Sequence, residues 1–146
     1  MSIVSGTDLV NCARSYAGVP YYHCGRDRNG LDCSGLILRV ARDLGLTSWD
    51  EVDYSHQVDA DYMYQNLLRF CDELPQEMWA AAEPGDILWF APFNHPQHLG
   101  MATDTGYFIH SHQMVNKVVE TSLDKGWTRR LRGVFRWRGL ARKEES

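Results

Sequence analysis

The sequence predicts a single α+β domain in which N-terminal helices pack against a five-stranded antiparallel sheet. The first half of the chain carries apolar residues at helical spacing, whereas the second half carries short β-rich runs separated by turn residues. The composition of the 146 residues, 44% hydrophobic and 23% charged, is typical of a soluble globular domain and excludes a disordered chain. At this length one hydrophobic core is expected, so we assign residues 1–146 to one domain.

Three helices are predicted from the apolar spacing, and they cover Thr7–Ala17, Asp32 to Gly45, and Asp59–Leu74. Thr7 is the expected N-cap of the first helix. Cys33 falls in the first turn of the second helix. Between these two helices, Tyr21–Leu31 mixes glycine, asparagine and alternating charges, so we predict an irregular loop there. Loops of this length often carry function.

The hydrophobic period changes after Asp86, where short β-rich runs follow one another. Five strands are predicted, at Ile87–Phe90, His98–Thr103, Tyr107–His112, Lys117–Thr121 and Gly133–Trp137. Turn-forming residues separate most of them at short intervals, which is typical of an antiparallel meander. Because the helices come first and the strands afterwards, the helices are expected on one side of the sheet.

The charge distribution excludes several classes of partner. A formal net charge of −4 leaves no overall basic field to attract nucleic acid or anionic lipid. No apolar run is long enough to span a membrane, and Met1–Ala13 lacks the layout of a secretory signal. We therefore expect no nucleic acid, no membrane and no export by that route. The basic segment Arg129–Lys143 is read as a solvated strand face or, alternatively, as a docking surface.

Cys33 is the candidate nucleophile. The first turn of a helix places unpaired backbone N–H groups beside the thiol, which favours the thiolate and lowers the thiol pKa from about 8.5. The same N–H groups could stabilise an oxyanion formed by attack on a carbonyl carbon. For a cysteine considered alone, a small buried apolar side chain is the more common role. The choice between these two interpretations depends on a nearby base.

Two histidines on neighbouring predicted strands are candidates for that base. His98 and His110 share a face of a hairpin only if their strands pair in an even register. A three-residue loop at Thr103–Thr105 meets this condition and would place His98 directly opposite His110. His98 would then take the proton of Cys33, and His110 would fix the orientation of the His98 ring.

A metal site is the alternative use of the histidines. His95 and His112 flank the pair, and the four rings together could bind zinc. The strands lack a helical His-x-x-x-His pattern or a partner carboxylate, and the cysteines form no Cys-x-x-Cys pair, so no metal is expected. His23 and His56 are expected in loops or at the surface. Walker and dinucleotide glycine patterns are also missing from the sequence, so no cofactor is predicted.

Four motifs occur in a fixed order along the chain: Asp32-Cys33-Ser34-Gly35-Leu36, Pro84-Gly85-Asp86-Ile87, His98-Leu99-Gly100-Met101 and His110. In this order and spacing they resemble the NlpC family of papain-like cysteine peptidases. The resemblance covers nearly the whole chain and implies the papain-like NlpC fold. It also implies that Cys33 is the nucleophile, His98 the base and His110 the residue that orients the base.

The resemblance adds candidate substrate-binding residues. Tyr21 follows a proline twelve positions before the nucleophile, where the family has a tyrosine that lines the site. Asp32 and Ser34 flank the nucleophile and are expected to contact the substrate. In the loop before Cys33, Arg26 or Arg28 suits a substrate carboxylate, with solvated side chains as the alternative. Many members have an aromatic residue and two glycines after the tyrosine, whereas this chain has Cys24 there. Cys24 is read as loop filler, with a second thiol or a redox partner as alternatives.

The resemblance implies a cysteine endopeptidase that cleaves the stem peptide of bacterial cell walls between D-glutamate and a diamino acid. The Gly-Arg-Asp-Arg segment at 25–28 and the strand at 133–138 are most similar to a subgroup found among tail proteins of phages and gene transfer agents. That subgroup implies production in the host cytoplasm, a place at the virion tail tip, and tail-tip or hub proteins as partners. Three alternatives stay open: a structural tail component with an occluded site, a same-fold amidase or acyltransferase, and an interbacterial toxin.

Overall fold

The computed structural model describes residues 3–49 and 59–141. Its helices are α1 Gly6–Arg14, α2 Cys33–Asp43, α3 Ala60–Phe70 and α4 Lys125–Arg130, with a 3-10 helix at Gln76–Ala81. Its strands are β1 Arg26–Asp27, β2 Gly30–Leu31, β3 Cys71–Glu73, β4 Ile87–Phe90, β5 His98–Ala102, β6 Tyr107–His112, β7 Lys117–Ser122 and β8 Leu131–Trp137. Within these described residues, no helix has the length and apolar character needed to cross a bilayer.

The main sheet has six antiparallel strands in the order β3-β8-β4-β5-β6-β7. This confirms the α+β class, but the predicted number of five strands is wrong. The additional strand is β3, in which Cys71 pairs with Trp137 of β8. The apolar side chain of Cys71 continues the helical stripe, which predicts this residue in the third helix. Cys71–Glu73 instead pair with β8 as the edge strand of the sheet, so α3 ends at Phe70.

Two further features differ from the sequence-based prediction: the N-cap of α1 and the structure of the loop before α2. The N-cap of α1 is Ser5 rather than Thr7: the Ser5 hydroxyl accepts from the Asp8 N–H at 3.1 Å, and the Asp8 carboxylate accepts from the Ser5 N–H at 2.9 Å. The predicted irregular loop contains a two-stranded antiparallel ribbon, β1–β2, in which Arg26 pairs with Leu31. This ribbon leads directly into α2.

The hydrophobic core lies on both faces of the sheet. Along β4, Ile87 and Trp89 face the cluster formed with α1, α2 and α3, whereas Leu88 and Phe90 face a second cluster. The second cluster is covered by side chains from α4 and the 3-10 helix, among them Trp127. All four β4 residues are therefore buried, as in a central strand with both faces covered.

A buried ion pair joins β8 to the start of β4. The Asp86 carboxylate, 1% exposed, accepts two hydrogen bonds from the Arg136 guanidinium at 2.9 and 2.8 Å. Loss of the Arg136 guanidinium is expected to cost roughly 3–5 kcal/mol, because the Asp86 charge would stay buried without its charged partner. The Pro-Gly-Asp-Ile motif thus holds strands together at the end of the sheet.

The β5–β6 hairpin turns at Asp104–Gly106, one residue later than predicted. Met101 pairs with Ile109, and the Thr103 N–H donates to the Tyr107 carbonyl at 3.1 Å. Gly106 takes a φ of +80°, which suits the last position of a three-residue hairpin loop. The glycine thereby sets the register of the two histidine-bearing strands.

Candidate active site

A cleft of about 330 Å³ opens at the N-terminus of α2. Its walls include five residues predicted for the site, namely Tyr21, Asp32, Cys33, Ser34 and His98. The remaining wall comes mainly from the loops on either side of β5 and β6 and from α4. His110 does not line the cleft but is buried behind His98, to which it is hydrogen-bonded. Residues distant in the sequence thus meet at one end of the helix.

Asp32 holds the helix start on which Cys33 sits. The Asp32 side chain is the N-cap of α2 and accepts from the Gly35 N–H at 2.6 Å. It also accepts from the Cys24 N–H at 2.9 Å and from the Arg26 guanidinium at 3.0 Å. With 3% of its surface exposed, Asp32 fixes the loop, the ribbon and the helix to one another. The direct role of this carboxylate is therefore to position Cys33.

The environment of Cys33 opposes ionisation of its thiol. The thiol donates to the Gln97 carbonyl at 3.7 Å. Burial raises the pKa of Cys33 to about 11, and the Asp32 charge acts in the same direction. The N–H groups of Leu99 and Ser34 lower it only in part. The predicted lowering of the pKa by the helix N-terminus is thus wrong, because desolvation outweighs the helix dipole.

His98 and His110 form a short hydrogen bond. Nε2 of His98 lies 2.7 Å from Nδ1 of His110, and Nε2 of His110 lies 2.9 Å from Oγ1 of Thr121. The predicted placement of His98 directly opposite His110 is wrong, because the register of the hairpin is shifted by two residues and the rings meet diagonally. An even shift keeps both side chains on one face. Nδ1 of His98 stays available to face the cleft.

Both histidine rings are uncharged at neutral pH. Burial lowers the pKa of His98 to about 3 and that of His110 to about 2, and the charge of His112 acts in the same direction. The pKa of His112 is itself lowered by burial. The cleft therefore pairs a neutral thiol with a neutral imidazole, which is the starting state for general-base transfer of the thiol proton.

With this geometry described, residues 18–136 match the model of the NlpC/P60 family. The chain belongs to the NlpC/P60 family. No curated protein matches its sequence. Its structure is similar to an NlpC/P60 family protein from Bacillus cereus, with a TM-score of 0.72 and 23% identity over 93% of this chain and 41% of the other. This NlpC/P60 chain thus spans less than half of that protein.

Two further solved structures are similar to this NlpC/P60 chain. One is the NlpC/P60 domain of the peptidoglycan hydrolase SagA, with a TM-score of 0.61 and 23% identity over 90% of this chain and 97% of the other. The second is the peptidoglycan hydrolase RipB from Mycobacterium tuberculosis, with a TM-score of 0.63 and 19% identity over 94% of this chain and 65% of the other. These structural similarities show the shared papain-like α+β fold.

In this NlpC/P60 chain the guanidinium of Arg26 lies away from the cleft. It is bound to Asp32 and to the Gly25 carbonyl, and it lines a separate apolar cavity of about 70 Å³ between α2, α3 and the sheet. Among the described residues, the arginine that lines the cleft is Arg130, at the end of α4. The expected carboxylate contact of Arg26 therefore does not match its position.

Sequence reasoning also missed the aromatic wall of the cleft. Trp127 of α4 packs edge-on against His110 at 5.2 Å and lies 5.8 Å from the His98 ring. The available signal was Asp124, whose side chain caps α4 by accepting from the Trp127 N–H at 2.9 Å. Gln97 also lines the cleft, and its buried side-chain oxygen has no hydrogen-bond partner among the described residues.

The remaining predicted residues have distinct positions. Tyr21 lines the cleft, and burial together with the neighbouring Cys33 and Asp32 raises the pKa of its phenol, so the hydroxyl remains a donor. Ser34 lines both the cleft and the apolar cavity. His95 lies in the loop between β4 and β5. His56 falls outside the described residues.

One set of side chains in the described part of the chain has metal-ligand spacing. Ligand atoms of His23, Cys24 and Asp32 lie within 4.8 Å of one another. The Asp32 oxygens already accept from Arg26 and from backbone N–H groups, so a positive charge is in place. The four-histidine zinc alternative forms no such set within residues 3–49 and 59–141. The histidine pair instead forms the hydrogen-bonded chain described above.

Proposed function

We propose that this chain is a peptidoglycan hydrolase, a cysteine endopeptidase that cleaves the stem peptide between D-glutamate and a diamino acid. The observation that carries the proposal is that Cys33, at the start of α2, and His98 line one cleft, with His110 hydrogen-bonded to His98 behind it. Family membership and the two structural neighbours named as peptidoglycan hydrolases support the substrate class. Cys33 is the nucleophile, His98 the base, and His110 orients the base.

The first half-reaction begins from the neutral pair. As the Cys33 sulfur forms a bond to the scissile carbonyl carbon, its proton passes to Nδ1 of His98 and the carbonyl electron pair moves to the oxygen. Backbone N–H groups near Cys33 and the Tyr21 hydroxyl stabilise this oxyanion. The carbon–nitrogen bond then breaks, and the protonated His98 gives its proton to the leaving amine. A thioester on Cys33 remains.

Water completes the reaction. His98, again neutral, takes a proton from a water molecule whose oxygen attacks the thioester carbonyl carbon. The carbon–sulfur bond breaks, the protonated His98 gives its proton to the sulfur, and the product acid releases its proton to solvent and leaves as a carboxylate. Trp127 and the buried rings behind His98 exclude bulk water from the imidazole pair. Arg130 at the cleft wall attracts a substrate carboxylate.

The finer setting of the activity is a phage or gene transfer agent tail tip, with tail-tip or hub proteins as partners. It rests on the resemblance of the segments 25–28 and 133–138 to that subgroup. An amidase is the second candidate, because an N-acetylmuramoyl-L-alanine amidase from Bacteroides uniformis shares the fold, with a TM-score of 0.62 and 12% identity over 89% of this chain and 96% of the other.

The test is digestion of purified cell wall, with the released fragments identified by mass spectrometry. We expect fragments cut after D-glutamate from the native chain and none from Cys33→Ala, because the variant lacks the sulfur that forms the thioester. Cys12→Ala is the matched control, since Cys12 lies in α1, outside the cleft lining. Cleavage next to the sugar lactyl group would support the amidase. Equal release by native chain and Cys33→Ala would refute the nucleophile.

A further inference from the structure

Thr121 ends the chain of hydrogen bonds that begins at His98. Its Oγ1 lies on β7, 2.9 Å from Nε2 of His110, while Nδ1 of His110 lies 2.7 Å from Nε2 of His98. In the β6–β7 register Thr121 pairs with Phe108, so its side chain shares a face with the His110 ring. Both ring nitrogens of His110 are thus hydrogen-bonded, one to His98 and the other to Thr121.

The positions of the protons determine which group donates in each of these two hydrogen bonds. When Nδ1 of His98 takes the thiol proton, both nitrogens of His98 carry hydrogen, so its Nε2–H must donate to Nδ1 of His110. Nδ1 of His110 is then an acceptor, and the hydrogen of that neutral ring must lie on Nε2. The Nε2–H points at Thr121, whose hydroxyl oxygen accepts it while the hydroxyl hydrogen points elsewhere. The charged state of His98 therefore requires an acceptor at position 121.

Burial makes this acceptor necessary. His110 has no exposed surface, and its ring is enclosed by Phe108 at 4.4 Å, His112 at 4.8 Å and Trp127 at 5.2 Å. An N–H group in such surroundings without a hydrogen-bond partner is strongly unfavourable. Removal of the Thr121 oxygen would favour the opposite tautomer of His110, with hydrogen on Nδ1. That tautomer points its hydrogen at Nε2 of His98 and opposes protonation of the His98 ring.

From this we infer that Thr121 is a positioning residue for the reaction: it holds His110 in the Nε2–H tautomer that allows His98 to accept the Cys33 proton. The inference rests on the proposed function and deepens it. It predicts that position 121 must supply an oxygen on this face of β7. Threonine and serine satisfy this requirement, whereas valine, which has nearly the same shape as threonine, does not.

Three variants test the inference on the full chain: Thr121→Val, Thr121→Ala and Thr121→Ser. Nitrogen-15 NMR of the histidine rings reports which nitrogen carries hydrogen. We expect the Nε2–H form of His110 in the native chain and in Thr121→Ser, and the Nδ1–H form in the valine and alanine variants. Loss of a hydrogen bond to a charged network predicts a kcat lower by roughly 10- to 100-fold in those two variants, with unchanged KM. Thr121→Ser should retain most of the native kcat.

The NMR measurement needs no substrate, so it separates this inference from the proposed function. If the native chain releases nothing from cell wall, the ring tautomers still test Thr121. The Nδ1–H form of His110 in the native chain, or an Nε2–H form that persists in both Thr121→Val and Thr121→Ala, overturns the inference. A merely structural role would lower thermal stability in Thr121→Ser as well and would leave the tautomers unchanged. Two oxygen-free variants of different size guard against a folding defect in either one.

Discussion

Desolvation and the helix dipole act in opposite directions on the Cys33 thiol. The first turn of α2 offers backbone N–H groups that favour a thiolate. Burial nevertheless raises the pKa of Cys33 to about 11 and lowers that of His98 to about 3. The pair is therefore uncharged until a substrate carbonyl is present to accept the sulfur. The N–H groups contribute most when they meet the oxyanion.

This resting state predicts a specific pH profile for alkylation. We expect the rate of Cys33 alkylation by iodoacetamide to rise continuously above pH 8 without a plateau near neutrality, because the thiolate fraction stays small until the pH approaches the raised pKa. Mass spectrometry of the Cys33 peptide measures the rate, and Cys33→Ala identifies the labelled site. A plateau between about pH 4 and 8, as a preformed thiolate–imidazolium pair would give, contradicts the prediction.

Arg130 provides a second test at the scale of single residues. Its guanidinium stacks on Trp127 at 5.6 Å and has no carboxylate in salt-bridge contact among residues 3–49 and 59–141. Arg130→Gln should raise KM about tenfold with little change in kcat, since a charge-assisted contact made equally in ground and transition states is lost. The matched control is Arg129→Gln, which changes the neighbouring residue of α4 outside the cleft lining.

The measurement for Arg130 compares a stem peptide with the same peptide amidated at its free carboxyl group. The native chain should prefer the carboxylate, and Arg130→Gln should lose that preference. If Arg130→Gln keeps the full preference, the carboxylate is bound elsewhere in the cleft.

At the scale of elements, the β5–β6 hairpin brings the two histidines together. Gly106 has open space around it but a φ of +80°, so a substitution there acts through the backbone alone. Gly106→Val should lower the free energy of unfolding by about 1–2 kcal/mol, whereas Gly106→Asn should cost less because asparagine tolerates the left-handed region better. Urea unfolding measures both.

Catalysis gives a second readout for the hairpin. A shift by one residue would turn His98 away from His110. We therefore expect Gly106→Val to lower kcat as well as stability. If Gly106→Val were as stable as the unsubstituted chain, the loop would not depend on the positive φ of Gly106.

The helices and strands differ in how far they could be predicted. Asp32 marked the start of α2, because an N-cap and the apolar stripe that follows it lie within a few residues of each other. The five predicted strands are all present. The strand β3 and the helix α4 were missed, since β3 forms only by pairing with β8, and α4 is a six-residue segment whose tryptophan packs on the far side of the sheet.

For the whole molecule, buried titratable groups predict a stability maximum between about pH 6.5 and 8.5. His110 is fully buried with a lowered pKa, so below about pH 6.5 the unfolded chain binds more protons than the folded one and stability falls as the pH falls. Cys33 and Cys71 have raised pKa values, so above about pH 8.5 the unfolded chain loses more protons and stability falls as the pH rises.

Urea unfolding between pH 4.5 and 10 checks this curve. Below about pH 6.5, each fully buried neutral histidine lowers the free energy of unfolding by up to about 1.4 kcal/mol for every unit by which the pH falls. His110→Gln removes one such group and should flatten the acid side while lowering stability at pH 7, because the hydrogen bonds of the ring are lost. Higher stability at pH 5 than at pH 7 would contradict the prediction.

Local sequence patterns were sufficient for the α+β class, for the place of Cys33 at a helix start and for the even register that puts His98 and His110 on one face. These properties depend on residues close to one another in the chain. The extra strand, the diagonal contact of the two rings, the wall formed by Trp127 and the neutral state of the thiol depend on the tertiary structure. The extra strand β3 forms only by pairing with β8, which is distant in the sequence. The burial that shifts each pKa exists only once the helices cover the sheet.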